Sequence, residues 1–264
     1  MNFRNIIYEK IGKVARITLN RPDVRNALNL ELLSDMTGAI EQIYAEDSIG
    51  ALILTGTDNV FSGGGDIDFL ENELPKKSSR EIYKVLKENY GKAALALRKL
   101  PFPVIAAING PAVGAGFDIC LNCDIRLAGA SATMGSIWVR INTIPALGGM
   151  YLLPRIVGQG RAAELIFTGD IIDAKEAYRI GLVNRIVEDD RLQHKALALA
   201  DRLAHNATGA IAIAKCGLER ALDGTFHNEV DFGIRMQSQC IKMEDYKEGL
   251  RAFREKRKPL FTGN

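Results

Sequence analysis

The sequence predicts an α/β chain, a parallel β/α core followed by a helical C-terminal region. Two observations carry this. Over the first half, short apolar runs rich in β-branched residues alternate with amphipathic helical stretches, the order that builds a parallel sheet. After Pro145 the pattern turns to helices and ends in a charged, amphipathic tail. The expected division places the β/α core in residues 1–200 and the helical region in 201–264.

Taken in order, residues 3–20 read as two β-branched runs around Gly12–Lys13, and a hairpin is the simplest arrangement. Asn20-Arg21-Pro22-Asp23 breaks that pattern. Asn29 then starts a helix that carries Leu30, Leu33, Met36 and Ile40 on one stripe. Ala51–Thr55 is short and wholly apolar until its last residue, the signature of a strand buried on both faces. The polar stretch 71–80, with Pro75 and two serines, is expected to be an exposed, mobile loop before a helix around 81–98. A second cycle repeats the order: a strand at 103–108, a glycine-rich turn at 109–116, a helix at 117–123 and a strand at 123–128. Beyond Pro145 the clearest helices are 174–180, 192–205 and 210–222.

The composition, 47% hydrophobic and 25% charged over 264 residues, is that of an ordinary globular protein. A formal charge of +2 gives no overall pull toward nucleic acid or an anionic membrane, so any anion site must be local. No run of about 18 uncharged apolar residues occurs, and the N-terminal segment lacks an apolar stretch after its first charges. A cytoplasmic protein without membrane or nucleic-acid partners is expected. Cys120 and Cys123 form a C-x-x-C with no second pair or nearby histidine, so they read as packed side chains rather than a metal set. His194, His205 and His227 lie in separate helical stretches and do not suggest a triad.

Two glycine-rich turns stand out. Phe61-Ser62-Gly63-Gly64-Gly65-Asp66-Ile67 follows the strand at 51–55, and Asn109 to Asp118 leads from the strand at 103–108 into a helix. Glycines let the backbone approach a ligand and turn its N–H groups toward an anion or a developing oxyanion. Neither turn carries a phosphate-loop or dinucleotide ending. The second offers a helix N-terminus, where free donors and the helix dipole favour negative charge. Together the two turns could each contribute one N–H to the same oxygen.

The paired segments FSGGGDI and NGPAVGAGFDICLNCDIRLA resemble the two oxyanion-hole segments of the crotonase (enoyl-CoA hydratase/isomerase) family. The resemblance continues through TIPALGGMYLLPRIVG, LIFTGDIIDAKEAYRIGLVNRIV and EGLRAFREKRKPLFTG. It implies a crotonase-like β/α spiral core with a C-terminal helical region that forms trimers. It places the oxyanion-hole amides at Gly65 and Ala115, either side of the thioester carbonyl of an acyl-CoA. Arg25, Ala27, Ser62, Gly63, Asp66 and Ile67 would line the CoA and acyl path, while Phe253 and Lys256 would reach the CoA of a neighbouring subunit. No metal or redox cofactor is implied, coenzyme A being part of the substrate, and a homotrimer or dimer of trimers is expected.

The chain departs from the family's hydratases at their two glutamates. The first position is Asp118, one methylene shorter, and the second is Trp138, whose indole is neither acid nor base near neutral pH. The carboxylate of related isomerases falls on Ala146. One base suits moving a double bond, which removes and returns one proton, better than adding water. Asp118 also begins a helix and could cap it. Trp138 resembles the active-site tryptophan of 4-chlorobenzoyl-CoA dehalogenase, whose nucleophilic aspartate again falls on Ala146, and it suits a wall for a flat acyl group. The C-terminal half is similar to ring-opening isomerases of phenylacetyl-CoA breakdown. The expected activity is an isomerase or hydratase acting through a thioester enolate, on a cyclic or aromatic-derived acyl group. The alternatives are a thioester or C–C hydrolase and a non-catalytic acyl-CoA-binding homologue.

Overall fold

The computed structural model describes residues 3–263. It begins with the expected hairpin: β1 (Ile6–Ile11) pairs antiparallel with β2 (Val14–Leu19) across Gly12, whose φ of +61° suits glycine in this tight turn. Helix α1 (Leu30–Tyr44) follows, and the Asn29 side chain caps it by accepting from the Leu32 N–H at 2.9 Å. Strand β3 (Ala51–Gly56) is buried along its whole length. Residues 69–76 form π- and 3-10-helical turns. The region expected as an open loop is therefore wound, though most of it is exposed. The sequence reading took Pro75 as a breaker; instead it sits in the first turn of the 3-10 segment, where proline's missing N–H costs nothing.

Helices α2 (Ser79–Leu86) and α3 (Lys92–Lys99) replace the single helix expected over 81–98, being joined through a π turn at Lys87–Gly91. A capping box between Ser78 and Glu81 fixes the start of α2. Strand β4 (Val104–Ile108), the short β5 (Ala112–Val113) and α4 (Ala115–Leu121) make the second cycle. Then come β6 (Ile125–Gly129), β7 (Thr133–Gly135), α5 (Gly149–Val157), α6 (Gln159–Thr168), β8 (Ile171–Asp173), α7 (Ala174–Arg179) and β9 (Arg185–Val187). The chain ends in α8 (Leu192–Ala204), α9 (Thr208–Ala221), α10 (Phe226–Cys240) and α11 (Glu244–Glu255).

The main sheet has the order β1-β2-β3-β4-β6-β9, parallel throughout except for the first hairpin. A second sheet, β5-β7-β8, stands apart from it. Alternation along the strands divides the core. Leu52, Leu54, Val104 and Ala106 face the larger layer under α1, α3 and α4, whereas Ala51, Ile53, Ile105 and Ala107 face α8. Helix α8 lies so close that a Cβ on Gly50 would fall 2.8 Å from the Ala204 Cα. The expected boundary after residue 200 falls inside α8, which contributes Ala204 to the smaller core layer.

Helix α9 docks on this core through Lys215, which bonds the Asp124 carboxylate at 2.8 Å and the Phe102 carbonyl at 3.1 Å. Its partner Asp124 also accepts the Val104 N–H, so one carboxylate joins helix α9 to the start of β4. The tail returns onto α11, where Asp245 accepts from the N–H groups of Thr262 and Gly263. No helix among the described residues is long and apolar enough to cross a membrane.

Candidate active site

The two glycine-rich turns meet. Ser62 pairs with Ala112 as an isolated parallel bridge, the Val113 N–H donating to the Ser62 carbonyl at 3.1 Å. A Cβ on Gly116 would fall 2.5 Å from the Ser62 Cβ and 2.9 Å from its carbonyl oxygen. Gly64, with φ +100°, sits over the other turn, where a Cβ would lie 2.9 Å from the Val113 carbonyl and 3.6 Å from the Ala115 nitrogen. The first turn is held from its other side as well: the Leu28 N–H donates to the Gly64 carbonyl at 2.7 Å, and the Asp66 N–H to that of Leu28.

Between these anchored neighbours, the N–H groups of Gly65 and Ala115 have no acceptor among the described residues. Helix α4 starts at Ala115, two residues earlier than expected, so this amide is one of the helix's free N-terminal donors. Gly114 takes the cap position with φ +54°, and Asp118 lies in the helix interior without capping anything. The capping alternative for Asp118 is thereby removed.

Asp118 is fully buried. The Leu147 N–H donates to its Oδ2 at 3.3 Å, while Oδ1 has no partner among the described residues. A Cβ on Gly149, the first residue of α5, would fall 2.5 Å from Oδ1, so only glycine lets this helix end approach the carboxylate. Asn122 braces the pair by donating to the carbonyls of Asp118 and Leu147, both at 2.8 Å. Burial pushes the carboxyl up to about 7, against the opposing pull of the Leu147 N–H and the Trp138 indole. The indole N–H is itself buried and has no hydrogen-bond partner among the described residues. Trp138 is half-buried against the main core, in a 3-10 turn at Ile137–Ile141. Ile137 beside it lies against Gly114 of the second turn.

The other expected residues separate into those at this junction and those away from it. Arg25, left-handed at φ +57°, is exposed without an ion-pair partner among the described residues, and its carbonyl accepts the Gly63 N–H at 2.7 Å. Ala27 and Ser62 are buried, and Ile67 is 65% exposed. Asp66 is committed elsewhere: Arg21 bonds it at 2.7 Å, and it accepts the Phe69 N–H. Burial would raise its carboxyl, but these donors hold it below the ordinary range. Phe253 is 84% exposed on α11, and Lys256 closes that helix in a left-handed conformation; neither makes a hydrogen bond or ion pair to the site among the described residues.

Asn26 was missed from sequence. Fully buried with φ +54°, it donates to the Thr57 and Val60 carbonyls, accepts from the Arg21 N–H, and offers its own carbonyl to the Ser62 hydroxyl. It ties the segment before α1 to the first glycine turn. Its sequence signal was an asparagine, tolerant of left-handed backbone, directly before a buried apolar pair. The Cys120 and Cys123 thiols are free and buried on α4 and just after it, and burial raises both.

A parallel β/α sheet, a small second sheet and a helical C-terminal region, with two glycine turns brought together beside a buried carboxylate, define a protein of the crotonase fold. The enoyl-CoA hydratase/isomerase family model matches residues 9–264, and the chain belongs to that family of acyl-CoA enzymes. It is 37% identical to the short-chain-enoyl-CoA hydratase of Clostridium acetobutylicum, over 98% of this chain and 97% of that one. It is also 37% identical to the crotonyl-CoA hydratase of Syntrophomonas wolfei, over 99% of both. The crystal structure of enoyl-CoA hydratase from Bacillus anthracis superposes with a TM-score of 0.93 at 34% identity, covering 99% of this chain and all of the other.

Proposed function

We propose that the chain binds an acyl-CoA thioester, polarises its carbonyl with the Gly65 and Ala115 N–H groups, and moves a proton at the adjoining carbons with Asp118. The observation that carries this reading is the conjunction, among the described residues, of two unpaired backbone donors, on turns locked together, with a buried carboxylate that has one free oxygen. An α-proton becomes labile only when the thioester carbonyl is strongly polarised, and each such donor is typically worth ~2.7–4 kcal/mol in the transition state. Asp118, raised to about 7, is matched to taking a proton and giving it back near neutral pH. Trp138 and Ala146 supply no second acid or base, which favours a one-base isomerisation over a two-carboxylate hydration. The half-buried indole forms an apolar wall suited to a cyclic or aromatic-derived acyl group. Arg25, whose backbone carbonyl takes the Gly63 N–H, is exposed and makes no ion pair among the described residues, which supports a role toward the CoA phosphates, with coenzyme A entering as part of the substrate.

A panel of enoyl-, dienoyl- and ring-acyl-CoA thioesters followed by mass spectrometry tests the reading. Isomerisation leaves the mass unchanged, hydration adds water and hydrolysis releases CoA. The expected result is an unchanged mass with a shifted double bond, at a rate that rises with pH through about 7 as Asp118 loses its proton. Release of free CoA as the main product would replace this reading with hydrolysis.

A further inference from the structure

We propose that the cavity between helix α9 and the amino end of the main sheet is a second ligand site, fitted to a monocarboxylate with an aliphatic body. It goes beyond the enolate reading and does not depend on it. The cavity measures about 560 Å³, within the range of small-molecule sites. Pro103 just before β4, and Asp124 to Arg126 at the start of β6, contribute to its lining. The glycine turns follow the opposite, carboxyl ends of β3 and β4, so the two sites lie at opposite ends of the parallel strands.

Arg126 carries the argument. Alternation along β6 sends Leu127 toward α8 and Arg126 to the other face of the sheet, where it lines the cavity. Only 7% exposed, it donates from Nε to the Leu182 carbonyl and from Nη1 to the Cys123 carbonyl, both at 2.7 Å. Among the described residues Nη2 has no acceptor, and no carboxylate pairs with the guanidinium. The group stays charged, and two neutral carbonyls leave that buried charge without a counterion. The carboxylates on the same wall are already answered, Asp124 by Lys215 at 2.8 Å and Glu219 by Arg98 at 3.2 Å. Arg155 also lines the cavity; it stacks on the Tyr151 ring and meets Asp223 only at 3.8 Å. Four cations thus face two carboxylates across the lining, an excess that favours an anion. The remaining wall is aliphatic, with Leu121, Leu152, Ile156 and Ile211. One carboxylate on an aliphatic chain answers both features, its oxygens accepting from Nη2 and its chain covering the leucines and isoleucines.

The test is calorimetric titration of the whole protein with octanoate and with 1-octanol, which has the same chain and no charge. Octanoate should bind roughly tenfold or more tightly than the alcohol, as expected for hydrogen bonds to a charged group. Saturating butyryl-CoA, a thioester without a double bond to move, should leave octanoate affinity within about twofold. Arg126→Met removes the charge and should weaken octanoate binding roughly tenfold or more. Ala214→Glu, at an exposed lining position on α9, sets a carboxylate in the cavity and should do the same without touching the buried arginine, so it decides the matter if the methionine variant folds poorly. Butyryl-CoA affinity should be unchanged in both variants. The proposal is overturned if octanoate does not bind at millimolar concentration, if the alcohol binds equally well, if butyryl-CoA displaces octanoate, or if octanoate binding survives Ala214→Glu. None of these outcomes touches the enolate reading, which is judged on thioester turnover.

Discussion

Asp118 meets two opposed demands. Burial makes its charged form costly, and the proposed reaction needs that form. The sign of the resulting linkage is definite. The folded carboxyl holds its proton up to about 7, whereas an unfolded one releases it near ~4, so across that window the folded state binds more protons and stability falls as pH rises. Asparagine at this position keeps an acceptor for the Leu147 N–H and abolishes the buried charge. Asp118→Asn should therefore melt several degrees above the natural protein at pH 8, reflecting a few kcal/mol, and by much less at pH 4.5. Thermal melts at the two pH values check this, and a variant equally or less stable at pH 8 contradicts the burial argument. From sequence alone the expectation would be an unchanged melting temperature, because sequence reveals a carboxylate but not its solvent. The residues proposed to carry chemistry were legible as motif positions: the turns of Gly65 and Ala115 do meet, and Asp118 lies on the helix that Ala115 begins. What sequence could not show were the ties that position them. Asn26, Asn122 and Gly149 work through contacts with residues distant in the chain. Asp66, expected on the path, also forms an ion pair with Arg21 that sequence did not reveal.

Among elements, the strands read best. β3 and β4 are short, apolar and buried on both faces, and periodicity finds such segments directly. The second sheet was not foreseen, because β5, β7 and β8 have only two or three residues each and exist through pairing between distant segments rather than local preference. The same non-local logic governs the contact between the glycine turns. Gly116 lies in helix α4, where alanine would ordinarily be the better residue, yet its missing Cβ is what lets Ser62 pass. Gly116→Ala should cost about 1–3 kcal/mol by overpacking and should lower turnover by parting the two amide donors. Melting curves and steady-state kinetics would show both losses together; a stabilised, fully active variant would mean that the turns are not held by this contact.

On the scale of the whole molecule, the C-terminal helices leave large apolar side chains in solvent. Leu218, Phe226, Ile234 and Phe253 on α9, α10 and α11 are each between 68% and 88% exposed, more apolar surface than a helical region of one subunit usually leaves uncovered. A homotrimer or dimer of trimers that covers these faces is the expected assembly, with Phe253 and Lys256 brought to a neighbouring site. Sedimentation equilibrium at micromolar concentration should give a trimer or hexamer, and a stable monomer that binds acyl-CoA would contradict it. The central claim, that one carboxylate and two backbone amides make and hold a thioester enolate, is tested most directly by α-proton exchange. An acyl-CoA that binds but cannot isomerise is incubated in deuterated water, and isotope uptake at Cα is followed by mass spectrometry. The natural protein should incorporate deuterium catalytically, and Asp118→Asn should be slower by about two to four orders of magnitude with affinity retained. Uptake at the same rate in the variant, or none by the natural protein on a thioester it binds, would contradict the account.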